Sequence, residues 1–512
     1  MKNAHLIIIC SFFFLLASCY EDKGNYTYVP VSGIEISGID ESYILVTGVD
    51  TLRLSPTLVT DYPEADLDYR WVIARGTNSG NTVSDKFTYD TIHHQRHLVF
   101  PVIESPGVYY LYCRVINRVN GYSAFAKAVL EVGTLYNRGH YILKETDGGD
   151  TELDLLLEDG QLLTDILQTT QGAPLPGAPR SLGMLYSKSL VEPDTMVKVK
   201  NHCLGVITYS GQAVVYRAFD MYRAFDHHSL FFEEPVDVPY RFYTSAYFCE
   251  YLSSAGLYAE HNAGILTAGS TIGKYSFPET DLAGGSDYWA FSVNLWGAVY
   301  WDETHHRIAY SNPNGMAYEL TSNDFPVPGP DHDCLFIGKY GPDVIRALFR
   351  DNVTGEYSLY TVTIAYMRGT PAITGVQPLP SPGPWVEAPL KAANEVTANI
   401  IYFVHDNKLH YHDVANNVDH PIDLPALPVG ATITHVANRH FNFTDAPAFD
   451  YFSIATYANG HYTLQEYNMI GGIPTGDPVF TATGSGRVKQ VKYLAPNASY
   501  SNFFFRGRDY SR

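Results

Sequence analysis

From about residue 135 to the C-terminus the chain repeats one local pattern: an apolar strand, a short polar turn, and a second strand of alternating hydrophobicity. CLGVITYSGQAVVYRAF turns at Ser210-Gly211, and GAVYWDETHHRIAYSN turns around Glu303 to His305. DVIRALFRDNVTGEYSLYTVTI turns at Thr354-Gly355, NIIYFVHDNKLHYHDV at Asp406-Asn407, and YFSIATYANGHYTLQEYN at Asn459-Gly460. Gly, Asn and Asp tolerate the positive φ that tight hairpins need, so each pair reads as a hairpin. YFCEYLSSAGLYAE, the C-terminal KQVKYLAPNASYSNFFF and the early HYILKE strand bring the count to seven or eight units. Spread over about 378 residues, that is roughly 50 residues per unit, the size of a four-stranded propeller blade.

The expected architecture is therefore all-β, with residues 135–512 forming a degenerate, about seven-bladed β-propeller-like domain. Two further β-sandwich modules are the competing arrangement, because no WD, Asp-box or kelch signature recurs at the required period. The 40 tyrosines outnumber Lys and Arg together, which also favours strands over helices. One helix is expected in DGQLLTDILQTTQG, with Asp159 to cap it and Gly172 to stop it.

Residues 31–134 read as a separate β-sandwich. Leu67, Tyr69, Trp71 and Ile73 alternate with Asp68, Arg70 and Val72, which puts Trp71 on an apolar face. In GVYYLYCRV, Tyr109, Leu111, Cys113 and Val115 share one face, and Asn120-Gly121 signals the hairpin into SAFAKAVLEV. A central Trp strand followed by G-x-Y-x-L-x-C-x-V resembles a PKD or immunoglobulin-like module. The absence of an upstream cysteine partner for Cys113 favours the PKD type, in which packing alone holds the sheets.

Residues 1–18 have the form of a secretory leader: Lys2, then LIIICSFFFLL from Leu6 to Leu16, then small residues before a cysteine. Leu16-Ala17-Ser18-Cys19 resembles a bacterial lipobox, so Cys19 is the expected lipid attachment site and 19–30 an anchored tether. Several acyl chains on one residue hold a protein firmly at ~0.8 kcal/mol per buried CH₂. Glu21-Asp22 resembles the surface-export signal of Bacteroidetes lipoproteins, which implies an outer-membrane location facing the cell exterior.

The tether CYEDKGNYTY, the PKD-like sandwich, the entry YILKETDGGDTELDLLL, the helix and GAPLPGAP together resemble the PKD-like family of Bacteroidetes outer-membrane lipoproteins. That resemblance covers about the first 180 residues. It implies association with a TonB-dependent transporter and its substrate-capturing lipoprotein, of the starch-utilisation type, and an accessory role in capturing an oligopeptide or oligosaccharide.

Charge narrows the partners further. With 34 Lys and Arg against 54 Asp and Glu, the net charge of −20 disfavours nucleic acid. Beyond Cys10 and Cys19, the cysteines Cys113, Cys203, Cys249 and Cys334 form no CxxC or short Cys/His spacing, and read as buried small hydrophobes. No metal or other cofactor is expected. His410 and His412 share a strand face near His405 but lack an evident third ligand, so they read as edge-strand polar residues. His227-His228 and His305-His306 would point to opposite faces if extended. YRAFDMYRAFD, residues 216–226, duplicates a pentapeptide, and Arg217, Arg223, Asp220 and Asp226 suggest an ion-pair ladder or an exposed loop.

The densest aromatic cluster, SDYWAFSVNLWGAVYWDE, makes Tyr288, Trp289, Trp296 and Trp301 the candidate ligand-binding residues, since their ring faces stack on sugars or peptide side chains. No GxSxG, HExxH or phosphate-cradling loop appears, and no catalytic residue is assigned. The leading expectation is a non-catalytic uptake accessory. A surface glycan hydrolase using carboxylates such as Asp302, Glu303 and Asp333, or a structural adhesion lipoprotein, are the alternatives.

Overall fold

The computed structural model describes residues 33–79, 82–105, 107–191, 196, 198–235, 239–245, 249–254, 256–261, 272–276, 284–291, 298–311, 316–341, 344–364, 370–396, 398–441 and 449–494. Cys19, Glu21, Asp22 and Trp296 lie outside them. The described residues are almost entirely β, and no helix among them is long and apolar enough to cross a membrane.

The first unit is a PKD-like sandwich. Its larger sheet runs in the order Ser42–Val46, Ser123–Gly133, Gly107–Asn117, Leu67–Ser79, Thr82–His93, with only the first pair parallel. An antiparallel pair far apart in sequence, Thr51–Leu54 with Leu98–Pro101, packs against it. The alternation expected from the sequence holds: Leu67, Tyr69, Trp71, Ile73, Leu111, Cys113 and Val115 are all buried in one core. Trp71 buries its indole fully and still satisfies Nε1, which donates to the Gln95 carbonyl at 3.0 Å.

After a short 3-10 turn at Leu135–Asn137, seven antiparallel sheets follow among the described residues. Six are built in chain order from residues 179–225, 242–261, 289–319, 332–379, 391–421 and 432–485. The remaining one combines both ends of the region: Gly139–Glu145, Thr151–Leu156 and Leu162–Leu163 are joined by the C-terminal strand Arg487–Leu494, which pairs with Gly139–Glu145. The leading edge strands touch in series: Arg487–Leu494 meets Pro179–Val191, which meets Phe242–Ser245. Trp289–Phe291 meets His332–Tyr340, then come Lys391–Ala393 and Thr432–Phe441, which returns to Arg487–Leu494.

Packing between sheets explains the strand sequences. In the second sheet Leu204, Val206, Val214 and Tyr216 enter the core shared with the first sheet, while Cys203, Ile207, Ala213 and Val215 enter the core shared with the third. A strand covered on both faces needs apolar residues at every position, so the period-two alternation is lost in stretches such as AVVY. Similar two-sheet cores join each successive pair, and Ile142, Val488 and Val491 meet Tyr462, Leu464 and Ala482 between the seventh sheet and the first. Buried charge is placed in these same interfaces. Lys188 holds Glu250 and Glu260 at 2.6 and 2.8 Å, Lys144 holds Asp154 at 2.7 Å, and Arg439 pairs with Glu466 and bonds His140.

The hairpin turns fall where the sequence puts them. Asp406, Asn407, Asn459 and Gly460 all have positive φ, as a two-residue hairpin loop requires. Three expectations need correction. The helix is only Ile166–Gln171, because Leu162–Leu163 pairs with Leu155–Leu156 as a strand; Asp159 instead accepts a bond from Gln161 N in the hairpin turn. The helix amides of Leu167 and Gln168 are satisfied from a neighbouring strand by Glu152, at 2.7 and 2.8 Å, and Gly172 ends it at φ 86°. His412 is not an edge residue: Lys408–Asp413 lies between two strands, and His412 is buried with its ring stacked on Trp385 at 4.4 Å and Nδ1 2.7 Å from Asp419. The duplicated pentapeptide is a hairpin, with Tyr216 opposite Arg223, and its ion pairs stay within each copy as Arg217 with Asp220 and Arg223 with Asp226.

Cys113, Cys203 and Cys334 are buried, and burial pushes the Cys113 thiol up to about 12. The side chain of Cys249 lies outside the described set.

Candidate functional site

The leading strands of six of the sheets, with Arg241 at the edge of the remaining one, surround a cavity of about 530 Å³. That volume suits a ligand of drug or short-oligomer size. Its wall is mixed: backbone and small residues from His332–Tyr340 and Lys391–Ala393, aromatic rings from Tyr209, Tyr288 and Trp289, and a set of charges. Gly338 is there for closeness of approach. A Cβ on it would lie 2.8 Å from Ala393 Cβ and closer still to the Phe336 ring.

Two arginines organise one side. Arg180 Nη2 donates to both Asp287 oxygens at 2.7 Å, and Arg241 Nη1 reaches Asp287 at 3.2 Å and also pairs with Glu303. Glu303 in turn accepts from Asp287 N at 3.0 Å, so the second, third and fourth sheets are tied by one charged chain. The Arg180 guanidinium stacks on Tyr209 at 4.9 Å. With their head groups consumed, Nε of Arg180 and Nε of Arg241 remain shielded from solvent without a hydrogen-bond partner.

On the other side, Lys339 pairs with Glu395 at 3.8 Å. Lys391 is different: its ammonium donates to the carbonyls of Val386 and Ala388, and burial lowers its pKa to about 8. Lys489 is exposed and lies 5.9 Å from the Tyr209 ring. His435 is buried, and burial, then the charges of Arg439, Lys492 and Lys489, push it down to about 3. Its Nε2 also has no partner. Five Lys and Arg thus line the cavity with three carboxylates, in a chain whose overall charge is −20.

The aromatic cluster divides. Tyr288 and Trp289 line the cavity, each with much of its surface in the adjoining cores. Trp301 does not: it is 2% exposed and packs edge-on against Phe349 at 5.0 Å between the fourth and fifth sheets. Its expected role is corrected to core packing, because its strand, Ala298–Asp302, stands one place back from the leading edge. Among the carboxylates, Asp302 is fully buried and held by His305 and Arg307, Glu303 by Arg241, and Asp333 by Arg350 at 3.1 Å. Sequence reasoning missed Arg180, Arg241, Lys391, His435 and Lys489. Four sit singly on different leading strands and Arg241 just before a fifth, and the only signal was a polar residue in or beside a leading strand.

No curated protein matches the chain. Among solved structures, a quinonprotein alcohol dehydrogenase-like protein from Bacteroides thetaiotaomicron is similar at 13% identity, covering 91% of this chain and 99% of that one with a TM-score of 0.38. A DUF4784 family protein from Bacteroides caccae is similar at 8% identity, covering 78% and 97%, with a TM-score of 0.30. The N-terminal third has a family match: residues 19–179, from Cys19 through the sandwich to the start of the second sheet, fit the model of the PKD-like family.

Proposed function

We propose that the protein is a non-catalytic, surface-exposed outer-membrane lipoprotein that binds ligand for a TonB-dependent uptake complex. In this reading the seven sheets are the blades of a propeller closed by the C-terminal strand, and the cavity at its axis receives an oligopeptide or oligosaccharide. The cyclic order of the leading strands and the two-sheet cores between all neighbours support the architecture. The lipobox-like Cys19, at which the PKD-like match begins, supports the anchor.

One observation carries the binding role. Arg180, Arg241, Lys339, Lys391 and Lys489 bring five cationic side chains to one cavity, in a chain whose net charge is −20. An acceptor-rich ligand meets such a wall with charge-assisted hydrogen bonds, each worth about 1.5–3 kcal/mol. Lys489 is exposed among these cations, and the half-buried Tyr288 offers ring surface beside the largely buried Trp289.

The test has two arms. In the native host, detergent-solubilised outer membranes should yield the protein together with a TonB-dependent transporter pair; recovery as a free lipoprotein counts against the complex. Replacing Glu21 and Asp22 by Ala should leave membrane attachment intact while protecting the protein from protease added to intact cells. In vitro, arrays of oligopeptides and oligosaccharides should identify a ligand recovered intact, with affinity reduced about tenfold or more by Trp289→Ala. Appearance of cleaved product would favour the hydrolase instead.

A further inference from the structure

Two adjacent imidazoles and a carboxylate meet where the chain leaves the second sheet, and none of the three lines the cavity. The strand Arg223–Phe225 ends at Asp226, whose carboxylate accepts from Ser229 N at 3.0 Å and Ser229 Oγ at 2.8 Å. Leu230 N closes the same turn on the Asp226 carbonyl at 2.8 Å. Leu230 and Phe231 are buried, and Phe232 N donates to the Tyr275 carbonyl at 2.9 Å, so the segment is fixed at both ends. Because residues 227–229 are turn rather than strand, the two histidines do not point apart. Their ring centroids are 3.9 Å from each other, and His228 Nδ1 lies 2.7 Å from Glu234 Oε1.

We propose that His227, His228 and Glu234 form a binding site for a divalent d-block cation of the zinc type, with the remaining coordination open to water or to an external ligand. One ligand atom from each residue lies within 4.8 Å of the others. Tetrahedral ligands at about 2.0–2.2 Å from zinc stand about 3.4 Å apart, so side-chain rotation alone closes the shell. Two imidazole nitrogens and one carboxylate oxygen suit zinc, copper or nickel, whereas calcium and magnesium take all-oxygen shells. His227 Nδ1 is shielded and has no hydrogen-bond partner, while His228 and Glu234 are open to solvent, which gives an ion both a reason to bind and a way in.

The charges around the group fit this use. Burial, then the neighbouring His228, hold His227 below the usual histidine range, which favours the uncharged imidazole a metal needs. The hydrogen bond to Glu234 raises His228, so metal uptake there competes with a proton. Asp226 and Glu234 favour a cation here; Arg223 opposes it but is itself 3.7 Å from Asp226.

The experiment uses the full, untagged chain stripped with chelator and titrated calorimetrically with zinc chloride at pH 7.5. Wild type should take up at least one equivalent that magnesium or calcium does not displace, with a rise in Tm. His227→Ala/His228→Ala should lose that one equivalent and its Tm rise, and Glu234→Gln should weaken it tenfold or more, with metal-free melting unchanged in both variants. At pH 5.5 the same equivalent should weaken as the imidazoles protonate. Equal uptake by wild type and the double variant places the zinc on other histidines and overturns the proposal, as does a wild type that takes up none.

Discussion

Lys188 shows how much rests on single charges inside the sheet interfaces. It is the cation between Glu250 and Glu260, all three are buried, and burial raises the Glu250 carboxyl despite the ammonium beside it. Lys188→Met keeps the volume and removes the charge, leaving two carboxylates facing each other away from water; about 3–5 kcal/mol of stability should be lost in denaturant titration. Adding Glu250→Gln and Glu260→Gln should restore much of it, since the cost lies in the stranded charges. His435 makes a pH-dependent contribution of definite sign. Its folded pKa of about 3 lies below the unfolded value of about 6.5, so between those limits the unfolded chain binds a proton that the native chain does not. Stability therefore falls as pH drops below about 6.5, by about 1.4 kcal/mol per pH unit for this group. Compared with His435→Gln over pH 7 to 4, wild type should lose stability more steeply; parallel curves refute the assignment.

At the scale of elements, the turns were legible and the cavity was not. Asn459-Gly460 and Asp406-Asn407 announce themselves because few residues accept positive φ, so turn chemistry is written locally. Gly460→Val at φ 82° should cost about 1–2 kcal/mol, read as a shift in denaturation midpoint without a change in slope. Helix length was less legible, because Leu162 and Leu163 fit an amphipathic helix as well as a strand and only pairing with Leu155 and Leu156 decides. Trp289 and Trp301 illustrate the remaining limit. Both lie in one aromatic cluster, on adjacent strands, yet one borders the cavity and the other fills a core. Which strand of a sheet leads is set by contacts with other sheets, and a local pattern carries no record of them.

For the whole molecule, the decisive contact joins residues far apart in sequence: Arg487–Leu494 pairs with Gly139–Glu145, completing the first sheet from the C-terminal side. Its buried side chains, Val488, Val491, Tyr493 and Leu494, serve two interfaces, with Tyr493 and Leu494 in the core shared with the second sheet and the valines in that shared with the seventh. At about 1.5–3 kcal/mol per buried large side chain, removing the strand forfeits roughly 6–12 kcal/mol, comparable to the whole stability of a typical domain. It also bares the edge of Gly139–Glu145, a ready template for pairing with another chain. Truncation after Ser485 should therefore abolish cooperative unfolding of the seven-sheet region and promote association. The sandwich of residues 33–133 has its own core, so its calorimetric transition should persist and limited proteolysis should leave a fragment of that size. If the truncated chain instead keeps a single sharp transition for the seven-sheet region, the region unfolds cooperatively without the closing strand, which is then dispensable.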